Sequence, residues 1–373
     1  MIVAGYILFA IYLFLILYMA WGIKKLPKFD PLSYTKTHRF SILVPFRNES
    51  ENLPLLINSF KQLDYPKALF EIIFIDDYST DNSAEIINKY MQHSPNIRLV
   101  KSTKTYGSPK KHAITIGIKN SENNWIITTD ADCTIPKNWL SLFSTFITER
   151  KTNFIAAPVE YKTKNNFLEK FQYLDFLSLQ GVTIGSFGWK KPVLCNGANL
   201  CYNKSLFNKL GGFSGNESIV SGDDIFLMEK FLGHQPEKVQ FLKQNTCTVK
   251  TLPMKNLKAL FNQRIRWAAK TTAIKNMLSK SIGLLVFLTN LTLIILVFSA
   301  IFGGIQIIYL YSFFLIKLII DTVFLIKVNQ FFKKPFSVGW FVLSSICYPF
   351  YTVVVVILSL FGSHNWKERK FRK

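Results

Sequence analysis

Two aspartates separated by a single residue, Asp130-Ala131-Asp132, follow a short apolar run at residues 125–129. In an extended segment, side chains two apart fall on one face. Both carboxylates then reach one cation, and a pair of hard oxygen ligands suits Mg²⁺ or Mn²⁺. A cation held in this way bridges a diphosphate. Other candidate groups also lie at the ends of apolar runs: Pro45-Phe46-Arg47-Asn48-Glu49 follows residues 40–44, and Asp76-Asp77-Tyr78-Ser79 follows residues 70–75. Further on, Ser221-Gly222-Asp223-Asp224 precedes a helical run at 225–232. Each group alone has a plainer reading as a solvated loop or a helix cap, and Asp81 is read as a cap for the helix that follows it. A carboxylate at a helix N-terminus is favoured by the dipole, so Asp223 and Asp224 are either cap residues or functional acids. The chain holds only 23 acids, which makes two adjacent ones after a glycine a functional candidate.

The elements that position these residues follow from periodicity. Strands are expected at 40–44, 70–75, 97–100 and 125–129, and helices at 51–63, 83–91, 111–119 and 139–148. Alternating strands and helices predict an α/β domain with a mostly parallel sheet. Ligands of such sheets bind beyond the carboxyl ends of the strands. The ends of the first, second and fourth strands are where the polar groups stand. Residues 27–39 read as a linker, and there is no internal repeat or low-complexity tract.

Apolar content is uneven. Residues 2–23 carry no charge and are long enough to cross a bilayer as a helix. Residues 281–361 are apolar apart from Lys317, Asp321, Lys327, Lys333 and Lys334. A cleaved signal peptide would put basic residues before the apolar run, whereas Lys24, Lys25 and Lys28 follow it, so a retained anchor is expected. The positive-inside rule then places the globular part in the cytoplasm. The same rule conflicts with an anchor plus three full spans, which would export the basic tail; either one segment is re-entrant or the rule does not hold here. The net charge of +22 suggests nucleic acid at first sight. Its arrangement argues for a membrane surface instead. Lys243, Lys250, Lys255, Lys258, Arg264, Arg266, Lys270, Lys275 and Lys280 share an acid-free stretch beside the first C-terminal span, and anionic lipid attracts such residues by about 1 kcal/mol each. Apolar residues Leu257, Leu260, Phe261, Trp267, Ala268, Ile274 and Leu278 recur there at helical spacing, as in an interfacial helix. The five cysteines show no paired spacing, which points away from zinc and disulfides. Most spans lack ionisable groups, which argues against a transporter or scaffold. Lys317 and Asp321, four apart on one helical face, read as a mutually neutralising pair.

Taken in order, these motifs resemble the family-two inverting glycosyltransferases, in particular the membrane-bound branch with cellulose, chitin and hyaluronan synthases and ceramide glucosyltransferase. The resemblance covers residues 40–270 together with the layout of an anchor followed by C-terminal spans. It implies a GT-A fold, with a Rossmann-like mixed sheet, one N-terminal span and about three C-terminal spans. It further implies that Pro45, Arg47, Glu49 and Asp77 hold the nucleotide, that Asp130 and Asp132 bind diphosphate and a divalent cation, and that Lys110 faces the nucleotide. Gly197-Ala198-Asn199 would line the acceptor side. Asp224, preceded by Asp223 where the family commonly has glutamate, would be the general base. Gln263, Arg266 and Trp267 match a Gln-x-x-Arg-Trp signature at the acceptor and pyrophosphate. The domain reading is an anchor at 1–23, a linker at 24–39, the catalytic domain at 40–240, a basic interfacial segment at 241–280, a membrane region at 281–362 and a basic tail at 363–373. The expected activity is inverting transfer from a nucleotide sugar, a UDP-sugar, to a lipid or lipid-linked acceptor, with Mg²⁺ or Mn²⁺ and without nucleic acid. The expected setting is a multi-pass protein of a bacterial inner membrane with its catalytic domain in the cytoplasm. The alternative is a processive polysaccharide synthase, against which the short C-terminal region counts. A retaining double displacement would need a nucleophile that the sequence does not supply.

Overall fold

In the computed structural model, residues 2–103, 107–217, 219–361, 364–366 and 369–371 are described. The chain forms two compact units. One, made of Pro27–Lys162 and Cys195–Leu252, contains the sheet; the other, made of Met1–Leu26, Thr163–Leu194 and Pro253–Lys373, is helical.

In the sheet unit the chain runs β1 (Phe40–Phe46), α2 (Leu53–Lys61), β2 (Phe70–Asp76), α3 (Ser83–Met91), β3 (Ile97–Lys101), α4 (Pro109–Asn120), β4 (Trp125–Thr128) and α5 (Trp139–Arg150), where α1 is the N-terminal helix Ile2–Lys25 of the other unit. After β5 (Phe154–Ala156) and β6 (Val159–Tyr161) the chain makes α6 (Phe167–Gly188) in the helical unit, then returns with β7 (Leu200–Asn203), α7 (Lys204–Lys209), α8 (Asp223–His234), β8 (Val239–Phe241) and β9 (Val249–Thr251). Seven strands form one sheet in the order β3-β2-β1-β4-β7-β5-β8. β1 to β4 are parallel to one another, whereas β7 lies antiparallel between β4 and β5. β1 (FSILVPF) and β2 (FEIIFID) are nearly continuous apolar runs because helices cover both faces of a parallel sheet. Gly117 lets α4 lie close on that sheet: a Cβ there would sit 3.0 Å from Ile75 and 3.1 Å from Leu43.

The expected strands and helices of this unit are present. Asp81 is placed slightly differently from its reading as a cap. The N-cap of α3 is Asn82, and the Asp81 carboxylate accepts from the backbone N–H groups of Ser83 at 3.0 Å and Ser50 at 3.1 Å. It therefore joins two loops as well as serving the helix start. Partial burial opposes its charge, but the donors of Ser83 and Ser50 pull the carboxyl down to about 2.

The helical unit contains α1, α6, α9 (Leu257–Ala269), α10 (Met277–Ile301), α11 (Ile307–Phe332) and α12 (Val338–Phe361). Four of these, α1, α10, α11 and α12, have 24, 25, 26 and 24 residues and are long and apolar enough to cross a membrane. α1 and α6 cross at glycines. A Cβ on Gly188 would stand 1.9 Å from the Gly22 carbonyl oxygen, and one on Gly185 would stand 2.5 Å from that of Met19. Lys317 and Asp321 do pair, and the Tyr12 hydroxyl donates to Asp321 at 2.7 Å, tying α1 to α11. The basic amphipathic stretch is not one helix. α9 ends at Ala269, a single 3₁₀ turn covers Lys270–Thr272, and α10 starts at an N-cap, Asn276, whose side chain accepts from the Ser279 N–H at 3.1 Å. Ile274 and Leu278 thus belong to the turn and to α10, because a capping residue inside the periodic run restarts the helix.

Candidate active site

The polar cluster of the sheet unit forms where β1 and β4 part. Pairing of these strands ends at Leu43 opposite Thr128, with one further bond from the Thr129 N–H to the Leu43 carbonyl. Strand alternation turns Pro45 toward the same edge, where its missing N–H breaks no ladder because β4 has ended. β2 continues beside β1 as far as Asp76 opposite Phe46. A gap in the ladder at the carboxyl ends of parallel strands is the usual place for a ligand.

The loops after β1 and β2 lock together. Arg47 donates to the carbonyls of Asp77 at 2.9 Å and Tyr78 at 2.7 Å. The Asn48 side-chain oxygen accepts from the Thr80 N–H at 2.8 Å. Asn48 and Tyr78 both have positive φ, 51° and 60°. For a bulky residue such as Tyr78 this backbone is costly and is held only where the surroundings enforce it. Asp76 closes its own turn by accepting from the Ser79 N–H at 2.8 Å, and Asp77 is buried. Glu49 accepts from the Asn52 side chain at 2.6 Å.

After β4, burial alternates: Ala131 and Cys133 are buried, while Asp130 and Asp132 are partly exposed. The Asp130 carboxylate accepts from Lys110 Nζ at 2.6 Å. Lys110, in the first turn of α4, also stands 3.5 Å from Asp223. Burial works against its charge, but Asp130 and Asp223 outweigh this and raise its pKa above that of an ordinary lysine. Lys110 is therefore an ammonium across the physiological pH range.

Asp223 and Asp224 open α8. Neither is its N-cap, since Gly222 holds that position with φ 82°. Asp224 accepts from the Ile225 N–H at 2.8 Å and from the Gly197 N–H at 3.3 Å. Gly197 in turn accepts at its carbonyl from Thr128 Oγ1 at 2.7 Å, so the 3₁₀ turn Gly197–Asn199 is stitched to the end of β4. A Cβ on Gly197 would stand 3.0 Å from Asp223 Oδ2 and 3.3 Å from Lys110 Nζ, a tight fit that would press on both side chains. Asn199 is fully buried: its oxygen accepts from the Trp139 indole at 2.9 Å, and its amide donates to the carbonyls of Pro158 at 2.8 Å and Cys247 at 2.9 Å. Its contribution is to fix the turn that presents Gly197 and Ala198.

The structure thus brings together Lys110, Asp130, Gly197, Asp223 and Asp224. Gln263, Arg266 and Trp267 belong to the helical unit, half-buried on α9. There Arg264, between Gln263 and Trp267, organises the segment. It donates from Nε to Asp175 at 2.7 Å and from Nη1 to Gln263 at 3.0 Å, and its guanidinium stacks 4.2 Å from the Trp267 ring. One turn from Asp175, Gln172 binds both backbone groups of Met254, donating at 3.0 Å and accepting at 2.8 Å. α6 therefore anchors the lead-in to α9 and its middle. Sequence reading missed the pairing of Asp175 with Arg264; the available signal was an acid in the middle of a mostly apolar helix and an acid-free basic stretch to pair with it.

Among the described residues, no group of three or more His, Cys, Asp or Glu side chains is placed to hold a metal. Asp130 and Asp132, both partly exposed, stand in a turn that the Cys133 N–H closes on the Asp130 carbonyl at 3.2 Å, and not in the extended segment expected from the spacing. Carboxylates of this kind suit a divalent cation whose other ligands are phosphate oxygens and water. They do not form a closed protein cage.

Residues 41–211 match the model of the glycosyl transferase family 2. Poly(ribitol-phosphate) beta-N-acetylglucosaminyltransferase TarS of Staphylococcus aureus is 30% identical over 122 residues, 33% of this chain and 21% of that protein. The chain thus spans about a fifth of that relative's length. Poly-beta-1,6-N-acetyl-D-glucosamine synthase of Staphylococcus epidermidis is 24% identical over 334 residues, 88% of this chain and 76% of that protein. Among solved structures, the mannosyltransferase PcManGT from Pyrobaculum calidifontis in complex with GDP-Man and Mn²⁺ superposes with a TM-score of 0.54 at 14% identity, covering 97% of this chain and 99% of that one. That likeness is one of fold, and it bears out the expected GT-A architecture.

Proposed function

We propose, on the match of residues 41–211 to the glycosyl transferase family 2 model, that this protein moves a sugar from a nucleotide donor, a UDP-sugar, to a lipid or lipid-linked acceptor by a single inverting displacement. The observation that carries this reading is the meeting of Lys110, Asp130, Gly197, Asp223 and Asp224 where β1 and β4 part.

The nucleotide lies against the locked β1 and β2 loops, where Arg47 and the strained Tyr78 shape the edge beside Asp77. Asp130 and Asp132 would hold a divalent cation on the side of the donor phosphates. When bound, that ion supplies positive charge against the leaving nucleoside diphosphate. Lys110 adds a fixed ammonium on the same side, and such preorganised charge acts most strongly where charge develops in the transition state. Asp224 accepts the proton of the acceptor hydroxyl as that oxygen attacks the anomeric carbon from the face opposite the leaving group. The Gly197 and Ile225 N–H groups, which donate to its two carboxylate oxygens, keep Asp224 oriented. One base and one displacement invert the anomeric centre. Gln263, Arg266 and Trp267, in the helical unit, are assigned a part in transfer by their resemblance to the Gln-x-x-Arg-Trp signature.

The acceptor class is argued from the four apolar helices and from the basic residues on and around α9, which suit an anionic bilayer surface. The proposed setting is a bacterial inner membrane with the sheet unit in the cytoplasm. A second reading, a processive polysaccharide synthase, is favoured by the synthase relative similar along 88% of this chain. Purified protein in vesicles of mixed membrane lipid, given labelled nucleotide sugars, separates the two. Label in the organic phase as a discrete product supports lipid transfer; label in a high-mass polymer supports the synthase. No label transfer from any donor removes both.

A further inference from the structure

The lysine beside Lys110 is the more deeply buried of the two and faces the other way. Lys111 is 2% exposed. Its Nζ donates to the carbonyls of Asn216 at 2.7 Å and Ile219 at 2.9 Å and lies 4.8 Å from the centre of the Phe226 ring. Asn216 and Ile219 lie in the loop that delivers Ser221-Gly222-Asp223-Asp224, and Phe226 lies on α8, two residues beyond Asp224. The preceding turn grips the same loop. The Ser108 N–H donates to the Glu217 carbonyl at 2.7 Å and the Ser108 hydroxyl to that of Val220 at 3.2 Å. Gly107 passes so close that a Cβ would stand 2.6 Å from the Glu217 oxygen. On the other side, Lys230 of α8 donates to the Gly212 carbonyl at 2.8 Å and to the Ser214 hydroxyl at 3.1 Å.

A buried ammonium persists only where it is well partnered, and here the partners are loop carbonyls and an aromatic face. We infer that Lys111 is a positioning residue: it pins Asn216, Ile219 and the first turn of α8 so that the carboxylates of Asp223 and Asp224 stand beside Lys110. The inference rests on the proposed role of Asp224. α4 thus reaches donor and base through adjacent side chains, with Lys110 on the acids themselves and Lys111 on the loop that carries them. The class of partner is internal, two main-chain carbonyls, and the effect falls on the alignment of attack, with donor affinity left in place.

The test uses full-length protein with Lys111→Met, Lys111→Arg, Phe226→Leu and Asp224→Asn. Misplacement by about 1 Å costs up to on the order of 100-fold in rate. Lys111→Met is therefore expected to lower kcat by roughly 10- to 100-fold, with nucleotide-sugar Kd within about twofold of wild type. Amide exchange should quicken at residues 211–225 while β1 to β4 stay protected. Lys111→Arg, which can reach two carbonyls, should recover most of kcat. Wild-type kcat in Lys111→Met, or a fall in donor affinity matching the fall in kcat, overturns the inference. Should Lys111→Met fail to fold, Phe226→Leu decides: reduced kcat with retained Kd supports it, and unchanged kcat overturns it. Asp224→Asn keeps the two claims apart, since an active Asp224→Asn sinks the base assignment whatever Lys111 does.

Discussion

Asp175→Asn offers a demanding check on the packing of the helical unit. Asp175 and Arg264 stand 89 residues apart, with side chains only 7% and 6% exposed. Both Nε and Nη2 of the guanidinium lie 2.7 Å from one carboxylate oxygen. Neutralising the acid takes the Asp175 charge away from a buried arginine, and breaking a buried pair from one side costs about 3–5 kcal/mol. Replacing both members by apolar residues, Asp175→Leu with Arg264→Met, is often close to neutral. The assay is thermal and denaturant unfolding of purified protein in one detergent, followed by transfer activity. Asp175→Asn should lower the unfolding midpoint by about 6 °C or more, at roughly 2–4 °C per kcal/mol. The double variant should regain most of that loss. It should not regain transfer, because Arg264 also holds Gln263 at 3.0 Å and stacks on Trp267. A single variant as stable as wild type, or a double variant no better than the single, would refute the reasoning.

Transfer should stop in EDTA and return with Mn²⁺ or Mg²⁺; full activity in chelator removes the role given to Asp130 and Asp132. Gly188→Ala places a Cβ 1.9 Å from a main-chain oxygen, so it should destabilise the protein by about 1–3 kcal/mol, as overpacking does, and a wild-type unfolding midpoint contradicts the close crossing of α1 and α6. Changing Lys255, Lys258, Lys270 and Lys275 together to glutamine should reduce activity that depends on anionic vesicles and spare activity in detergent. Arg266→Ala should reduce both, and retention in either setting makes Arg266 a headgroup contact.

The β1–β4 half of the sheet was legible because buried parallel strands are written as long apolar runs, and helix α3 was read at its observed ends, 83–91. The apolar helices were legible for the same reason, as an uncharged run at 2–23 and a block at 281–361 with few charges, each long enough to cross a bilayer. The strands after α5 were not. β5, β6, β8 and β9 have three residues each and β7 has four, too short to display a period. Nothing local reveals that β7 enters antiparallel between β4 and β5. α6 carries Gln172 and Asp175 among apolar residues and reads as an ordinary helix until its partners, Met254 and Arg264, are known. The acids of the site stood out by type and spacing. Lys111 did not, since a buried lysine and an exposed one are the same letter and only the loop carbonyls at Asn216 and Ile219 tell them apart.

The central claim is that the aspartate pair opening α8 performs base chemistry on a sugar acceptor. Its most direct test compares wild type, Asp224→Asn and Asp223→Asn in vesicles, measuring turnover of the best labelled nucleotide sugar together with donor Kd. Asp224→Asn is expected to lose about 10²- to 10⁴-fold in turnover, the usual range for a general base, with donor Kd little changed. Near-wild-type turnover in Asp224→Asn, with Asp223→Asn inactive, would assign the proton to the neighbouring acid. Activity in both variants would contradict the account and leave the pair as residues of a helix start.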